Sequence, residues 1–349
     1  MKAIPTQPGR RFLSALGFLI LTCTATLFAQ SAAFISFDAP DAAKGELHGT
    51  TATCISVSGI IAGNYSDTTA HSHGFLRDLS GKITEFDVSG IFEPVVTGVN
   101  SRGQVVGYGI GSNALIHGFL RNVDGSSSVI DPPSSIETVL TAINDSGQIA
   151  GWYEDHSQFA HSFLRDASGS FTIFDDPDAV QGVQLGTTAR AINARGAIAG
   201  SYVDKNTGIV QAFIRDTQGN FTNFVPTSDT VSVYPTGINL SGEVTGYYFT
   251  DALGPEHAFV RDSAGNVTLI DKTVAKDTLT LGINDGGTIF GQWDLGFGYV
   301  EGFRRDASGK MTGISIPNNR GTRPLAINNK GRITGSYASQ DSTYHGFVE

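Results

Sequence analysis

Short apolar segments alternate with glycine-containing turns along almost the whole chain. Examples are the runs QIAGWY at 148–153, HSFLR at 161–165 and FTIFD at 171–175. Alternation with a period of two places successive side chains on opposite faces of a strand, and glycine, asparagine and aspartate favour the turns between strands. The pattern therefore predicts many short β-strands.

One turn belongs to a signature that occurs seven times: a β-branched residue, a polar residue, two variable positions, glycine, three positions and a second glycine. The copies are ISVSGIIAG at 55–63, VNSRGQVVG at 99–107, INDSGQIAG at 143–151, INARGAIAG at 192–200, INLSGEVTG at 238–246, INDGGTIFG at 283–291 and INNKGRITG at 327–335. Their polar residues stand at 56, 100, 144, 193, 239, 284 and 328, which gives intervals of 44, 44, 49, 46, 45 and 44 residues. This regularity indicates a repeated supersecondary unit.

Each repeat contains two turn signals. In the first, Asn144 takes the first position of a type I turn and Gly147 the fourth, where glycine accepts a positive φ. The second is RDASG at 165–169, and related segments stand at 77–81, 121–125, 215–219, 261–265 and 305–309. Two hairpins in each repeat predict four strands.

Four strands in about 45 residues are typical of one blade of a β-propeller. An open β-solenoid has the same periodicity, but it needs capping units at its two exposed faces. The ends of the repeated region favour the propeller. The segment 34–56 matches 171–193, which begins with a fourth strand, at twelve of twenty-three positions, and the last repeat stops at its third strand, HGFVE at 345–349. We therefore predict one repeat domain over 34–349 with seven blades, in which the N-terminal strand completes the last blade and closes the ring.

The first residues have the character of an export signal. Three basic residues precede an apolar run at 12–23, and small side chains follow. We predict a signal peptide over 1–29 that is cleaved near Ala29, with Ala33 as the alternative. The run is too short to span a membrane comfortably, so no transmembrane span is expected in the mature chain. The sequence leaves open whether the leader is cleaved, lipidated at Cys23 or kept as an anchor.

Composition and motifs narrow the functional classes. The formal net charge is −10, which argues against a nucleic-acid partner. One of the two cysteines lies in the predicted leader, so no intrachain disulfide is expected after export. The chain has no GxSxG, HExxH, CxxC or P-loop signature. These observations favour a protein without a catalytic centre.

A tripeptide recurs shortly before the second turn of each repeat. It reads HGF at 73–75, 117–119 and 345–347, HSF at 161–163, HAF at 257–259, QAF at 211–213 and EGF at 301–303. Together with the asparagine and glycine signature and a following FD with proline, it resembles the bacterial extracellular repeat named HAF after its His-Ala-Phe tripeptide. The resemblance covers 34–349. It implies an exported protein of the cell surface or the extracellular space, and it supplies no family active site.

Five histidines occupy the first position of the tripeptide, namely His73, His117, His161, His257 and His345. They suggest either a ring of metal-binding or pH-sensitive groups, or hydrogen bonds within the fold. A metal ion needs its ligands around one point, whereas equivalent residues of different blades lie far apart. We therefore expect each imidazole to bond to a neighbouring strand or blade.

Aspartates follow the predicted fourth strands in a common register, at Asp38, Asp87, Asp131, Asp175 and Asp271. Loops rich in carboxylates can bind Ca²⁺, and the candidate ligands are Asp38, Asp41, Asp175, Asp176 and Asp178. No segment has the DxDxDG spacing, and turn capping is the competing interpretation. No other cofactor is predicted.

Residues that break the repeat are the candidates for a ligand site. Trp152 and Trp293 are the indole rings available for stacking on a ligand. His156 follows Glu154 and Asp155 in a predicted loop, a combination that suits acid–base chemistry and equally suits a solvated loop.

Two functional hypotheses follow. The first is an exported noncatalytic binding or scaffold module that holds a protein or glycan ligand at the cell surface or outside the cell, with the periplasm as an alternative location. The second is a propeller hydrolase or lyase that acts on extracellular polysaccharide. A ring of similar residues around the central mouth favours binding, whereas one off-repeat cluster of carboxylate, histidine and arginine there favours catalysis.

Overall fold

The computed structural model describes residues 34–46, 48–183, 185–272, 275–296 and 299–349. The predicted signal peptide over 1–29 and its cleavage sites at Ala29 and Ala33 lie outside these ranges. The described chain is all-β, as predicted. None of its residues forms a helix that could cross a membrane.

The strands are short and follow one another through the repeats. The first fourteen are β1 Ile35–Phe37, β2 Gly49–Ile55, β3 Ile61–Ser66, β4 Ser72–Arg77, β5 Ile83–Phe86, β6 Ile91–Val99, β7 Val105–Gly111, β8 Ile116–Arg121, β9 Ser127–Ile130, β10 Ser135–Ile143, β11 Ile149–Asp155, β12 Ala160–Arg165, β13 Phe171–Phe174 and β14 Thr187–Ile192. The others are β15 Ile198–Val203, β16 Val210–Arg215, β17 Phe221–Phe224, β18 Ser232–Ile238, β19 Val244–Phe249, β20 His257–Arg261, β21 Val267–Leu269, β22 Asp277–Ile283, β23 Ile289–Asp294, β24 Val300–Arg305, β25 Met311–Ile314, β26 Gly321–Ile327, β27 Ile333–Ala338 and β28 Tyr344–Val348.

These strands form many four-stranded antiparallel sheets. Three separate sheets consist of β6 to β9, β10 to β13 and β22 to β25. Two larger sheets each contain two such units, which are joined by a single parallel residue pair, Val210 with Ser232 in one and Gly49 with Tyr344 in the other. The prediction of four strands in each repeat is confirmed.

The N-terminal strand pairs with the last strand of the chain. Ser36 of β1 lies opposite Phe347 of β28 in an antiparallel ladder. The same register is found between β13 and β12, where Phe174 faces Ser162 as Phe37 faces Gly346. The sequence match between the two segments therefore predicted the pairing of β1 correctly.

A phenylalanine of the third strand occupies the centre of each unit. The seven rings are fully buried, and they belong to Phe75, Phe119, Phe163, Phe213, Phe259, Phe303 and Phe347. The second glycine of the signature makes room for them. A Cβ atom at Gly151 would lie 2.6 Å from the ring of Phe163 and 2.4 Å from the carbonyl oxygen of Val139, closer than van der Waals contact allows. This glycine is therefore required by packing.

The first turn of each repeat is tied to the next repeat. In Asn193, the side-chain Oδ1 accepts hydrogen bonds from the amides of Arg195 and Ala197, which is the predicted turn chemistry. Its Nδ2 donates to the carbonyl oxygen of Asn239 in the next turn. The same tie runs from Asn100 to Asn144, Asn144 to Asn193, Asn239 to Asn284, Asn284 to Asn328 and Asn328 to Ser56. We call these residues the asparagine belt.

Candidate functional site

The two ends of the strands carry different groups. The turns of the asparagine belt and the turns between third and fourth strands lie at one end, which we call the asparagine end. The loops between second and third strands, and the connections from one four-stranded unit to the next, lie at the other end. We call this second end the pocket end.

The tripeptide histidines bond to the aspartates that follow the fourth strands. In each pair the imidazole Nδ1 lies 2.6 to 3.0 Å from a carboxylate oxygen. The pairs are His73 with Asp87, His117 with Asp131, His161 with Asp175, His257 with Asp271 and His345 with Asp38. The two repeated series are therefore partners, and each pair links the third strand of a unit to the segment that follows its fourth strand. The hydrogen-bonding interpretation of the histidines is confirmed.

Four of the five tripeptide histidines, His73, His161, His257 and His345, also pack against a tyrosine ring of the second strand. Tyr65 lies 5.1 Å from His73 between ring centroids, and Tyr337 lies 5.1 Å from His345. Where glutamine replaces histidine, Gln211 accepts a hydrogen bond from the hydroxyl of Tyr202. This position is thus used for packing in histidine and glutamine units alike.

The candidate calcium ligands do not converge. The carboxylates of Asp38 and Asp175 are paired with histidines of different units, and that of Asp178 forms an ion pair with Lys205 at 3.1 Å. Asp176 is buried, and burial raises the pKa of its carboxyl group. Asp41, the remaining candidate ligand, is exposed in the connection after β1. In the described ranges, no group of three or more His, Cys, Asp or Glu side chains is arranged to hold a metal ion.

The aromatic candidates differ in their environment. Trp293 is 5% exposed, and it lies between the ring of Phe303 at 4.8 Å and the ammonium group of Lys272 at 3.7 Å. It therefore presents no open face. Trp152 is half-buried on β11, and His156 is exposed in the turn between β11 and β12. The structure does not bring Trp152, Trp293 and His156 into one pocket.

The repeated arginines at the end of the third strands also have a packing role. Several guanidinium groups lie over a phenylalanine of the fourth strand of the preceding unit, at 4.5 to 5.0 Å from the ring centroid. These contacts are Arg77 over Phe37, Arg121 over Phe86, Arg215 over Phe174 and Arg261 over Phe224. The arginines therefore join neighbouring units by cation–π contacts.

A polar pocket at the pocket end is formed by residues that the sequence did not single out. It lies where the connection after β1, the start of β24 and the strands β26 to β28 meet. Its main side chains are Glu46, Tyr299, Arg320, Arg323 and Tyr344, and we call it the arginine pocket.

The two arginines of this pocket make few contacts with other side chains. Arg320 donates from Nη1 to the hydroxyl of Ser342 at 2.6 Å, and the guanidinium of Arg323 lies 5.8 Å from the ring centroid of Tyr344. Neither forms an ion pair with a carboxylate of the described residues, although Arg304 does so with Glu349. Both arginines are exposed, so their remaining donors face solvent.

The backbone around the pocket is well fixed. The amide of Arg320 donates to the carbonyl oxygen of Ala338 at 2.8 Å, and the side chain of Asn319 bonds to Thr322 at 2.9 Å. The amide of Tyr344 donates to the carbonyl oxygen of His48 at 2.8 Å. These bonds join the loop that follows β1 to the last unit, so the pocket depends on the contact between the two ends of the repeated region.

Comparisons with known proteins show the fold. No family model matches the chain, and no curated protein matches it. Among solved structures, the chain is similar to virginiamycin B lyase from Staphylococcus aureus, with 14% identity, a TM-score of 0.57 and coverage of 90% of this chain and 99% of that chain. It is also similar to the β-propeller domain of the trilobed protease from Pyrococcus furiosus, with 11% identity, a TM-score of 0.57 and coverage of 90% and 95%. The chain therefore has a β-propeller fold, and the solenoid alternative is wrong.

Proposed function

We propose that the four-stranded units are the seven blades of a closed ring, as the seven signatures predict. Two observations at the meeting point of the first and last repeats support closure. The strand β1 pairs with β28, and Asn328 donates to the carbonyl oxygen of Ser56 in the first turn. Closure by a shared blade leaves no unpaired sheet edge between the two ends of the repeated region.

The propeller itself is an exported noncatalytic module that binds a glycan. The arginine pocket carries this proposal because it combines exposed guanidinium donors, an exposed tyrosine ring and a carboxylate. Tyr299 is 43% exposed and offers a ring face, while Arg320 and Glu46 supply a hydrogen-bond donor and an acceptor. Sugars are bound by such sets, since their hydroxyl groups need both donors and acceptors and their C–H faces pack on rings.

The composition of the pocket favours binding over hydrolysis or elimination. Its described lining residues include a carboxylate and two arginines but no histidine, so they do not make up the cluster of carboxylate, histidine and arginine that the enzyme hypothesis predicts. The similar structures include a lyase and a protease domain, and identities of 11 to 14% carry the fold alone.

Export follows from the basic and apolar leader and from the resemblance to the HAF repeat. The module accordingly acts at the cell surface or outside the cell, with the periplasm as the alternative.

Expression of the full chain in a bacterial host tests both parts. We expect the secreted or surface-bound product to begin near residue 30 or 34 by mass spectrometry. Applied to a glycan array, this product is expected to bind a limited set of glycans, and R320Q/R323Q is expected to abolish that binding without unfolding the protein. Cytoplasmic retention would contradict export. Binding to proteins alone, with no glycan retained on the array, would contradict the ligand class.

A further inference from the structure

The charge of the arginine pocket differs from that of the protein as a whole. The chain has 33 acidic residues and 23 lysines and arginines. Even so, two guanidinium groups share one pocket whose only acidic side chain is Glu46, and neither guanidinium has a carboxylate partner among the described residues. A pocket lined by two guanidinium groups favours an anionic ligand through Coulombic attraction.

Arg323 is a departure from the repeat. Arg323 lies on β26, the first strand of its unit, opposite Ser336 on β27. The corresponding first-strand positions of the other units hold Thr51, Val95, Val139, Thr188, Tyr234 and Leu279. Because none of these six is charged, the fold does not require an arginine at this position. The cation at residue 323 therefore needs another explanation, and a ligand provides one.

We propose that the arginine pocket binds a sugar that carries a carboxylate, namely a uronic acid unit of an acidic polysaccharide. This inference rests on the proposed glycan-binding function and specifies its ligand class. The planar guanidinium matches a carboxylate through two parallel N–H···O bonds. Arg320 is already oriented by its bond to Ser342, which leaves its other donors for the ligand.

The neighbouring groups fit the rest of such a sugar. Tyr299 presents an exposed ring for the apolar face of a pyranose. The ring of Tyr344 makes a cation–π contact with the guanidinium of Arg323. Glu46 accepts hydrogen bonds from hydroxyl groups, and its negative charge disfavours ligands that carry several anions close together.

Titration calorimetry with a galacturonate oligosaccharide and with its methyl-esterified counterpart tests the inference on the exported full-length product. The two ligands differ in charge but not in ring structure. We expect the free acid to bind at least about tenfold more tightly than the ester, as one lost charge-assisted hydrogen-bond pair predicts. Single R320Q and R323Q substitutions should each remove most of this preference. R320K and R323K should restore only part of it, because lysine lacks the planar fork.

The matched control is R195Q, which removes the same charge from an exposed turn at the asparagine end. It should leave the affinity unchanged. Equal affinities for the acid and the ester would overturn the uronate inference while leaving the glycan-binding function in place. An equal loss in R195Q and R320Q would also overturn it, because the effect would then come from net charge. Failure of every glycan on the array, acidic or neutral, would instead remove the proposed function.

Discussion

The asparagine end and the pocket end follow the repeat to very different degrees. At the asparagine end, six turns carry the same buried asparagine with the same tie to the next turn, and the seventh carries Ser56. At the pocket end, the connection between β5 and β6 covers 87–90, whereas that between β13 and β14 covers 175–186. The arginine pocket is found at this second end.

This difference separates the residues that hold the fold from those that meet a ligand. The repeated asparagine, histidine, aspartate and arginine side chains all contact other parts of the protein. Arg320 and Arg323, in contrast, are exposed and form no ion pair with a carboxylate of the described residues. Substitutions of the repeated side chains should therefore change stability, whereas substitutions of these two arginines should change binding.

The largest effect is expected from deleting residues 34–40, which removes β1 from the sheet that contains β28. The rings of Phe34 and Phe37 pack on Phe347 and Phe75, at centroid distances of 5.8 and 6.0 Å. Loss of two such side chains and a strand should lower the free energy of unfolding by more than about 4 kcal/mol. Urea denaturation measures the change. The control is I35S, since Ile35 is 49% exposed and its loss should cost little. An unchanged midpoint in the deletion would refute the structural role of β1.

A smaller loss is expected from Asn193→Ala at the asparagine end. It removes both the turn cap and the bond to Asn239, and it leaves buried amide and carbonyl groups without partners. We expect a loss of about 2 to 3 kcal/mol in the free energy of unfolding, with glycan binding of the folded protein unchanged. Thermal denaturation and calorimetry measure the two properties. Loss of binding without loss of stability would break the division between the two ends.

Serine should reproduce half of the asparagine's role, because Ser56 occupies this position in the first repeat and caps its own turn through its hydroxyl. Asn193→Ser is expected to cost about 1 kcal/mol, which corresponds to the lost tie alone. The reverse change, Ser56→Asn, should add a tie to the carbonyl oxygen of Asn100 and stabilise the protein by up to about 1 kcal/mol. If Ser56→Asn destabilises the protein, the belt geometry does not extend to the first turn.

At the pocket end, pH should modulate stability through His73. Burial of this imidazole opposes protonation, but the carboxylates of Asp87 and Asp67 outweigh it and raise the pKa of His73. The contribution is therefore fully present below about pH 6.5, the usual unfolded value, and is lost as pH rises through the folded pKa. His73→Gln, which copies the residue at position 211, should lower the urea midpoint more at pH 5.5 than at pH 8.5. A larger loss at pH 8.5 would show that the sign is wrong.

The smallest effect on stability is expected from R320Q/R323Q. Both side chains are exposed and make few contacts, so thermal denaturation should be nearly unchanged while binding is lost. A large drop in stability would mean that these two arginines stabilise the fold rather than serve only in binding.

The sequence predicted the strands, the two turns of each repeat and the pairing of β1, because each depends on local alternation or on similarity between repeats. The sequence shows both the histidine and the aspartate series, but it did not lead to a prediction that they pair. The constant interval from His73 to Asp87 and from His117 to Asp131 indicates this pairing. The Nδ2 tie of Asn193 was missed because turn chemistry uses only Oδ1. The arginine pocket could not be predicted, since Glu46, Tyr299 and Arg320 are distant in sequence and meet only in the folded chain.

The spacing of the signature has a consequence for how such a protein evolves. The belt turns have one length throughout, so the variation between 44 and 49 residues is confined to the rest of each unit, and the connection at 175–186 lies within the longest interval. Insertions and substitutions at the pocket end can create a new specificity without disturbing the ties between repeats. Selection for a new ligand and selection for a stable scaffold then act on separate positions, and homologous chains should diverge in the loops of the pocket end while they keep the belt asparagines and the His–Asp pairs.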